Sequence, residues 1–380
     1  MPSRRQYLAA LGTGGAALGV GAVTGVVTVP RVSPAWTRWQ TGLNGVGRHA
    51  VLDDGRLYLT GRSSLVALDA ETGERRWSAR LDREPRYGVA ADEPSVFAGN
   101  RALVAFAPTG TERWRRRLDE VVPDARDGER LSAVPLPGGP LVVAVSGRRS
   151  VVAFDATDGS LRWTTPLDGD ISRAVRSGDR VVVPVGTDGG SDLVALDTTD
   201  GAERWRRSFD ERAGDLAVDG DVLVYARSRG GGDGLTALDV ASGTVRWERS
   251  TTASAVSVAA ETVYGVAGEP DRTARRTPTP RGEVFALAAA TGRRRWRTAG
   301  RDYPTTAPTR GGGAVYVGTE LVDDDGHHET GALSAFGADG RRQFTHGVGR
   351  DHHPTAPPVV GTRGRVYLVT DESVVALQKR

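Results

Sequence analysis

LVALDAETGERRW, which runs from Leu65 to Trp77, is the stretch of sequence that decides the fold. Its first four residues are apolar, and the run is too short for a helix, which favours a buried strand. Asp69 can accept hydrogen bonds from the backbone two residues further on, and Gly73 supplies the positive φ that a tight turn needs. A second strand then ends on Trp77. The stretch is therefore predicted to be a strand, a turn and a strand.

Six further copies of this stretch follow in the chain. They are LVAFAPTGTERW (Leu103 to Trp114), VVAFDATDGSLRW (Val151 to Trp163), LVALDTTDGAERW (Leu193 to Trp205), LTALDVASGTVRW (Leu235 to Trp247), VFALAAATGRRRW (Val284 to Trp296) and LSAFGADGRRQF (Leu333 to Phe344). An eighth copy is truncated at Val374 to Leu377. Self-similarity with a period of about 40 to 50 residues indicates a propeller or a solenoid.

Two more strands are expected in each repeat. One precedes each copy, as at Arg56 to Leu59, and a shorter segment comes before it. The truncated last copy lacks its closing strand, whereas a spare strand, Trp36 to Gln40, opens the repeat region. Eight blades then average about 43 residues each, the length of a four-stranded blade. The sequence therefore predicts an all-β fold over residues 35–380: an eight-bladed β-propeller of four-stranded blades, the last closed by an N-terminal strand.

The consensus (V/L)-x-A-(L/F)-D-x-x-(T/D)-G-x-x-x-W resembles the pyrroloquinoline-quinone-like (PQQ-like) repeat of eight-bladed propellers, from about Trp36 onward. The resemblance implies that the repeated tryptophan docks between neighbouring blades. That role would fall to Trp77, Trp114, Trp163, Trp205, Trp247 and Trp296. Phe344 departs from the pattern, and the turn at Pro108-Thr109-Gly110 is one residue shorter, so we expect these blades to pack differently.

Two branches with different functions share this repeat. One contains cofactor-free scaffolds, such as the propeller lipoprotein of the outer-membrane barrel-assembly machinery. The other contains quinoprotein dehydrogenases, which hold PQQ over calcium and typically carry a vicinal cysteine pair and long insertions. This sequence has no cysteine, and its short blades leave little room for insertions. We therefore expect no cofactor and a non-catalytic interaction scaffold or ligand-binding module; the alternative is a dehydrogenase that uses PQQ and calcium.

Residues 1–34 have the features of a targeting segment. Ser3-Arg4-Arg5-Gln6-Tyr7-Leu8 resembles the twin-arginine export signal, with Arg4 and Arg5 as its arginine pair, and a weakly hydrophobic stretch follows to Val29. We expect either a cleaved signal peptide or a retained membrane anchor. In both cases the propeller lies outside the cytoplasmic membrane, at the cell envelope. Because cysteine is absent, attachment through a lipidated N-terminal cysteine is excluded.

Arginine supplies nearly all of the positive charge, and many arginines flank the repeated tryptophan. One interpretation is a rim that binds an anionic ligand. The other is protection of the outermost strands against edge-to-edge association. We favour the second because the arginines recur with the repeat. The expected partners are envelope or surface proteins or an extracellular ligand, without nucleic acid, and we expect a monomer.

The six histidines are expected on one face of the ring, across three adjacent blades. That face carries the loops between second and third strands and the passages between blades. His327 and His328 are assigned to such a loop, whereas His346, His352 and His353 are assigned to one passage and His49 to the next. Imidazole and carboxylate suit a divalent transition metal, so the candidate ligands are His49, His327, His328, His352, His353 and Asp351. The alternative is a solvated polar rim, because no spacing matches a zinc motif.

Overall fold

The chain divides into two units, Met1–Arg31 and Val32–Arg380. Every residue that the structure describes lies in the second unit. The computed structural model describes residues 35–43, 46–61, 63–81, 88–99, 102–121, 136–138, 141–146, 150–171, 174–228, 234–268, 282–300, 302–322, 328–349 and 352–379. The expected targeting segment, with Arg4 and Arg5, lies outside these ranges. Within them, no helix is long and apolar enough to span a membrane.

Eight antiparallel sheets follow one another around the described chain, and each is one blade. Strand β1 (Ala35–Gly42) comes first in sequence. Blade 1 comprises β2 (Val46–Asp53), β3 (Arg56–Gly61), β4 (Ser64–Asp69) and β5 (Arg75–Arg80); blade 2 comprises β6 (Val89–Asp92), β7 (Ser95–Gly99), β8 (Ala102–Phe106) and β9 (Glu112–Arg117). Blade 3 comprises β10 (Leu136–Gly138), β11 (Leu141–Ser146), β12 (Ser150–Asp155) and β13 (Leu161–Pro166); blade 4 comprises β14 (Asp170–Ile171), β15 (Val175–Ser177), β16 (Arg180–Gly186), β17 (Ser191–Asp197) and β18 (Glu203–Phe209).

The second half of the ring repeats this arrangement. Blade 5 comprises β19 (Arg212–Asp219), β20 (Val222–Ser228), β21 (Gly234–Asp239) and β22 (Val245–Arg249); blade 6 comprises β23 (Ala255–Ala259), β24 (Thr262–Ala267), β25 (Gly282–Ala288) and β26 (Arg294–Gly300). Blade 7 comprises β27 (Tyr303–Pro304), β28 (Thr309–Gly311), β29 (Ala314–Val322), β30 (His328–Phe336) and β31 (Arg342–Gly349); blade 8 comprises β32 (Val359–Val360), β33 (Arg365–Val369), β34 (Ser373–Lys379) and β1. A short helix, α1 (Leu118–Val121), follows blade 2, and a 3₁₀ turn spans Thr362–Gly364. The predicted eight-bladed propeller is confirmed.

The two middle strands of each blade form the core. In blade 1, the central residues of β3 and β4 are buried on both faces of the sheet, because a blade lies on either side. The outermost strand, β5, alternates between exposed and half-buried residues. This gradient explains the sequence pattern, since uninterrupted apolar runs indicate strands that are buried on both faces.

Each blade presents two kinds of connection, one at each end of its strands. The turns between the first and second strands and between the third and fourth strands lie on one face of the ring, which we call the turn face. In blade 1 the two turns touch, because Ala70 donates its backbone N–H to the Gly55 carbonyl at 2.9 Å. The remaining loops and the passages between blades lie on the opposite face, which we call the connection face.

Blade 8 is closed by chain from both ends of the propeller. Strand β1 pairs antiparallel with β34, from Ala35 opposite Lys379 to Gly42 opposite Ser373. Side chains reinforce the pairing, since Arg38 Nε donates to Gln378 Oε1 at 2.8 Å. The predicted closure by an N-terminal strand is therefore confirmed.

The departure at Phe344 follows from this closure. Strands β34 and β1 have no turn between them, so the tryptophan position that faces blade 8 has no turn against which to dock. Phe344 is 2% exposed and packs against Tyr316, with ring centroids 6.5 Å apart. A phenyl ring fits this position because it carries no N–H that would need an acceptor.

Candidate functional site

The repeated tryptophans lie between the blades, each against the third-to-fourth-strand turn of the next blade. Seven indoles share this arrangement: Trp39, Trp77, Trp114, Trp163, Trp205, Trp247 and Trp296, which face Gly73, Gly110, Gly159, Gly201, Gly243, Gly292 and Gly340. Trp205 Nε1 donates to the Val240 carbonyl at 2.8 Å, and four other tryptophans make the same bond at 2.6–3.1 Å and Trp39 at 3.3 Å. Trp39 was not predicted to dock, although its position about one repeat before Trp77 is the signal that identifies it.

A turn glycine is required wherever an indole docks. Gly243 has φ of +67°, a left-handed conformation that L side chains rarely adopt. A Cβ at this position would lie 2.6 Å from Trp205 Cδ2. The shorter turn at Gly110 keeps the same contact, since Trp77 lies over Gly110 and donates to the Pro108 carbonyl at 2.8 Å. The interface between blades 1 and 2 therefore retains the docking geometry of the longer turns.

The residue two positions after the tryptophan forms a second link between blades. In five interfaces this side chain donates to the carbonyl of the next blade's turn glycine. The donors are Thr41, Arg116, Thr165, Arg207 and Thr298, at 2.5–2.9 Å from the carbonyls of Gly73, Gly159, Gly201, Gly243 and Gly340. Arg249 occupies the equivalent position after Trp247, but it has no such bond to Gly292.

Aspartates at the start of four turns bind arginines that precede the tryptophans. Asp69 accepts from Arg76 at 2.6 Å, and its Oδ1 also accepts the backbone N–H groups of Glu71 and Thr72 at 2.9 Å. The Arg76 hydrogen bond is the main cause that lowers the pKa of Asp69 to about 2. The Asp155–Arg162, Asp197–Arg204 and Asp239–Arg246 pairs repeat this arrangement at 2.5–2.9 Å. These arginines are therefore part of blade structure.

A groove opens between blades 5 and 6, where Arg249 lacks its bond to the next blade. It has a volume of about 800 Å³ and lies between β22 and the outer half of blade 6. Its floor includes Phe285 and Leu287, and its lining includes Arg249, Arg293, Arg294 and Arg297. Arg297 pairs with Glu283. This groove was not predicted from the sequence.

The described histidines do not all lie in the loops and passages to which the sequence assigned them. His49 lies within the inner strand β2 and packs against Gly88, rather than in a passage between blades. His346 lies inside the outer strand β31, 3.3 Å from Thr37 Oγ1, rather than at the start of a passage. Burial lowers the pKa of His346, which favours its neutral form. Only His352 and His353 lie in the passage to which the sequence assigned them.

Of the predicted metal ligands, His353 has the best-defined surroundings. Its backbone N–H donates to Asp371 Oδ1 at 2.9 Å. Its Nδ1 is 3.2 Å from Glu320 Oε1, within ion-pair distance, although the angle falls short of a hydrogen bond. His327, Asp351 and the side chain of His328 lie outside the described residues. Over the ranges that are described, no three His, Cys, Asp or Glu side chains are grouped to hold a metal ion, and the metal site stays a prediction.

Asp215 and Asp219 of the inner strand β19 are not part of a grouped metal site within the described ranges. Calcium takes six to eight oxygen ligands, several of them usually carboxylates. Through one carboxylate oxygen each, Asp215 and Asp219 accept the backbone N–H groups of Val256 and Ala260 at 3.0 Å. They join neighbouring inner strands instead of converging on an ion.

Comparison with known proteins identifies similar sequences over much of the chain. A family model described as outer membrane protein assembly factor BamB matches residues 28–98, 63–173 and 165–269. BamB from Burkholderia pseudomallei is 26% identical over 163 residues, covering 40% of this chain and 40% of that protein. A polyvinylalcohol dehydrogenase from a Sphingopyxis species is 34% identical over 110 residues, covering 29% of this chain and 15% of that enzyme. The chain thus spans less than half the length of either relative.

A solved structure extends the likeness to nearly the whole described propeller. The crystal structure of BamB from Moraxella catarrhalis covers 91% of this chain and 100% of its own, with a TM-score of 0.66. The two sequences are 18% identical, so this comparison supports the fold alone.

Proposed function

The chain belongs to the family of outer membrane protein assembly factor BamB, and on that premise we propose that it is a non-catalytic propeller that acts as a protein-interaction scaffold at the cell envelope. The relatives' name supports this proposal, since it describes a protein that takes part in assembly.

The observation that carries the proposal is that the repeated side chains bind other residues of the ring. The shared tryptophans contact the next blade, and the shared aspartates hold arginines of their own blade. These groups stabilise a rigid ring, as expected of a platform that holds its loops in fixed positions. Recognition then falls to surfaces that differ from blade to blade. The groove between blades 5 and 6 is one of them.

Cross-linking in intact cells followed by affinity capture tests the scaffold. We expect the full-length protein to retain a defined set of envelope proteins at near-stoichiometric amounts. Capture of no protein above the level of a tag-only control would contradict the proposal.

We also propose export by the twin-arginine route. The arginine pair, Arg4 and Arg5, supports this part of the proposal. Replacing both by Lys should block export and leave the protein in the cytoplasm, as measured by cell fractionation. An unchanged distribution would contradict this route.

A quinoprotein dehydrogenase is the second candidate, and the likeness to the polyvinylalcohol dehydrogenase favours it. It predicts a visible absorbance and a calcium-dependent dye reduction after incubation with PQQ and calcium. The scaffold predicts neither signal. The hydrogen bonds by which Asp215 and Asp219 join neighbouring blades support the scaffold.

A further inference from the structure

The groove between blades 5 and 6 contains an arginine, Arg249, that does not make the hydrogen bond between blades made by its equivalents. Arg116 and Arg207, two residues after their tryptophans, donate to the turn-glycine carbonyls of the next blades at 2.6 and 2.9 Å. Arg249 has the same sequence position, yet it lines the groove and has no hydrogen-bond partner among the described residues. Its guanidinium donors are therefore available to a ligand.

The side chains of two more arginines in the same groove have no bonding partner among the residues that the structure describes. Arg293 and Arg294 line it from the turn and outer strand of blade 6, and neither pairs with a carboxylate in the described part of the chain. Among the described lining residues, Glu283 is the one carboxylate, and Arg297 binds it. The described part of the groove therefore carries an excess of positive charge. Guanidinium groups bind carboxylate and phosphate through paired hydrogen bonds.

The surface of the groove distinguishes between classes of anion. Phe285 and Leu287 are 2% and 4% exposed, so neither ring nor branched side chain presents open apolar surface to an acyl chain. The neighbouring indole of Trp247 is 8% exposed and faces Gly292, so it offers no open ring on which a sugar could stack. The polar residues Ser250, Thr251 and Thr252 also line the groove. These groups suit the carboxylates and backbone of a polypeptide.

We propose that this groove binds an acidic, extended segment of a partner protein, with Arg249 and Arg294 as the principal carboxylate ligands. The stretch of β25 along the groove, from Glu283 to Leu287, is about 13 Å long, which matches about four residues of extended chain. The inference rests on the proposed scaffold function, to which it adds the chemistry of the partner.

Fluorescence anisotropy with a labelled peptide of four Glu-Ser repeats tests the site. We expect saturable binding, and none by the matching Gln-Ser peptide. Arg249→Gln and Arg294→Gln should each weaken binding by about tenfold, the loss of one charge-assisted hydrogen bond. Arg75→Gln is the matched control, because Arg75 occupies the position of Arg294 in blade 1, and it should leave binding unchanged. Equal weakening by Arg75→Gln, or no binding of the Glu-Ser peptide, would overturn the proposal.

Two further probes separate the ligand classes. Polygalacturonate and phosphatidylglycerol vesicles should bind the wild type and the Arg249→Gln/Arg294→Gln double variant equally. Either probe binding in place of the peptide, with loss in the double variant, would overturn the peptide assignment.

Cross-linked capture with the same double variant distinguishes the groove from the scaffold. We expect the double variant to lose partners that the wild type retains, with an unchanged melting temperature. Equal capture by both proteins would overturn the groove and leave the scaffold standing. Capture by neither would overturn the scaffold itself.

Discussion

The interface between blades 4 and 5 and the interface between blades 5 and 6 use the same docking residues and reach different results. In both, an indole lies over a turn glycine and donates to a turn carbonyl: Trp205 to Val240 at 2.8 Å, and Trp247 to Ala289 at 2.6 Å. Arg207 then bonds to Gly243, whereas Arg249 turns into a groove. Docking by tryptophan is therefore separable from the second link, and an interface that lacks this link can present its arginine to a ligand.

The largest loss of stability is expected from Gly243→Ala. This variant tests the docking of an indole over a turn glycine, which both interfaces share. The new Cβ would lie 2.6 Å from Trp205 and would sit at φ of +67°. Together the overlap and the left-handed backbone should lower the free energy of unfolding by about 3 kcal/mol. Gly292→Ala should cost about as much, since its Cβ would lie 2.7 Å from Trp247. Denaturant titration measures both.

The control for these glycines is Gly220→Ala in blade 5. Gly220 has φ of +57°, and no atom lies within 4 Å of the position that a Cβ would take, so the Gly220→Ala variant reports the backbone strain alone. A loss at Gly243 no larger than that at Gly220 would mean that the indole contact contributes nothing.

Trp205→Phe and Trp247→Phe should come next. Each removes an N–H and leaves a turn carbonyl without its donor in a buried interface, at a cost of about 1–3 kcal/mol. Because both bonds are present, we expect similar losses at the two interfaces by thermal or denaturant unfolding. Markedly unequal losses would indicate that the indole docks differently beside the groove.

A comparison of Arg207→Gln with Arg249→Gln tests the second link, which is present between blades 4 and 5 and is not made by Arg249 between blades 5 and 6. The first removes a hydrogen bond of 2.9 Å between blades and should cost about 1 kcal/mol. The second removes an exposed side chain that has no partner in the described ranges, and it should change stability by less than about 0.5 kcal/mol. Equal losses in denaturant titrations would show that Arg249 supports packing in solution.

The smallest effect concerns the turns. Asp239 starts the blade 5 turn and binds Arg246 at 2.6 Å, whereas Ala288 starts the blade 6 turn. That bond lowers the pKa of Asp239 to about 2, below its ordinary value of about 3.9. The carboxylate therefore contributes stability above about pH 4 and loses it as the pH falls through about 2.

Asp239→Asn should accordingly cost less than about 1 kcal/mol at pH 7, as is usual for a partly exposed pair. The difference from the wild type should shrink as the pH falls from about 4 to 2. A difference that stays constant across this range would show that the carboxylate charge is not involved.

The features that recur in every repeat could be predicted from the sequence. Repeat spacing predicted the blades and the turn glycines, and the resemblance to the PQQ-like repeat implied docking for six of the seven tryptophans that dock. Arg116, Arg207 and Arg249 look alike in sequence, and only the structure shows that the third has no hydrogen-bond partner among the described residues. His49 and His346 were assigned to loops, yet both lie in strands. Both were placed by their position between the repeated strands, and strand ends are the least reliable part of an assignment from sequence.

The closure of blade 8 has a consequence for how the ring forms. Strand β1 is the first part of the propeller to be synthesised, and its partner β34 is the last. Seven blades can assemble from nearby sequence, but the eighth requires contacts of the greatest sequence separation, which form slowly. During that delay both ends of the ring expose unpaired strand edges, which are prone to aggregation. The last step of folding is therefore also the most vulnerable one.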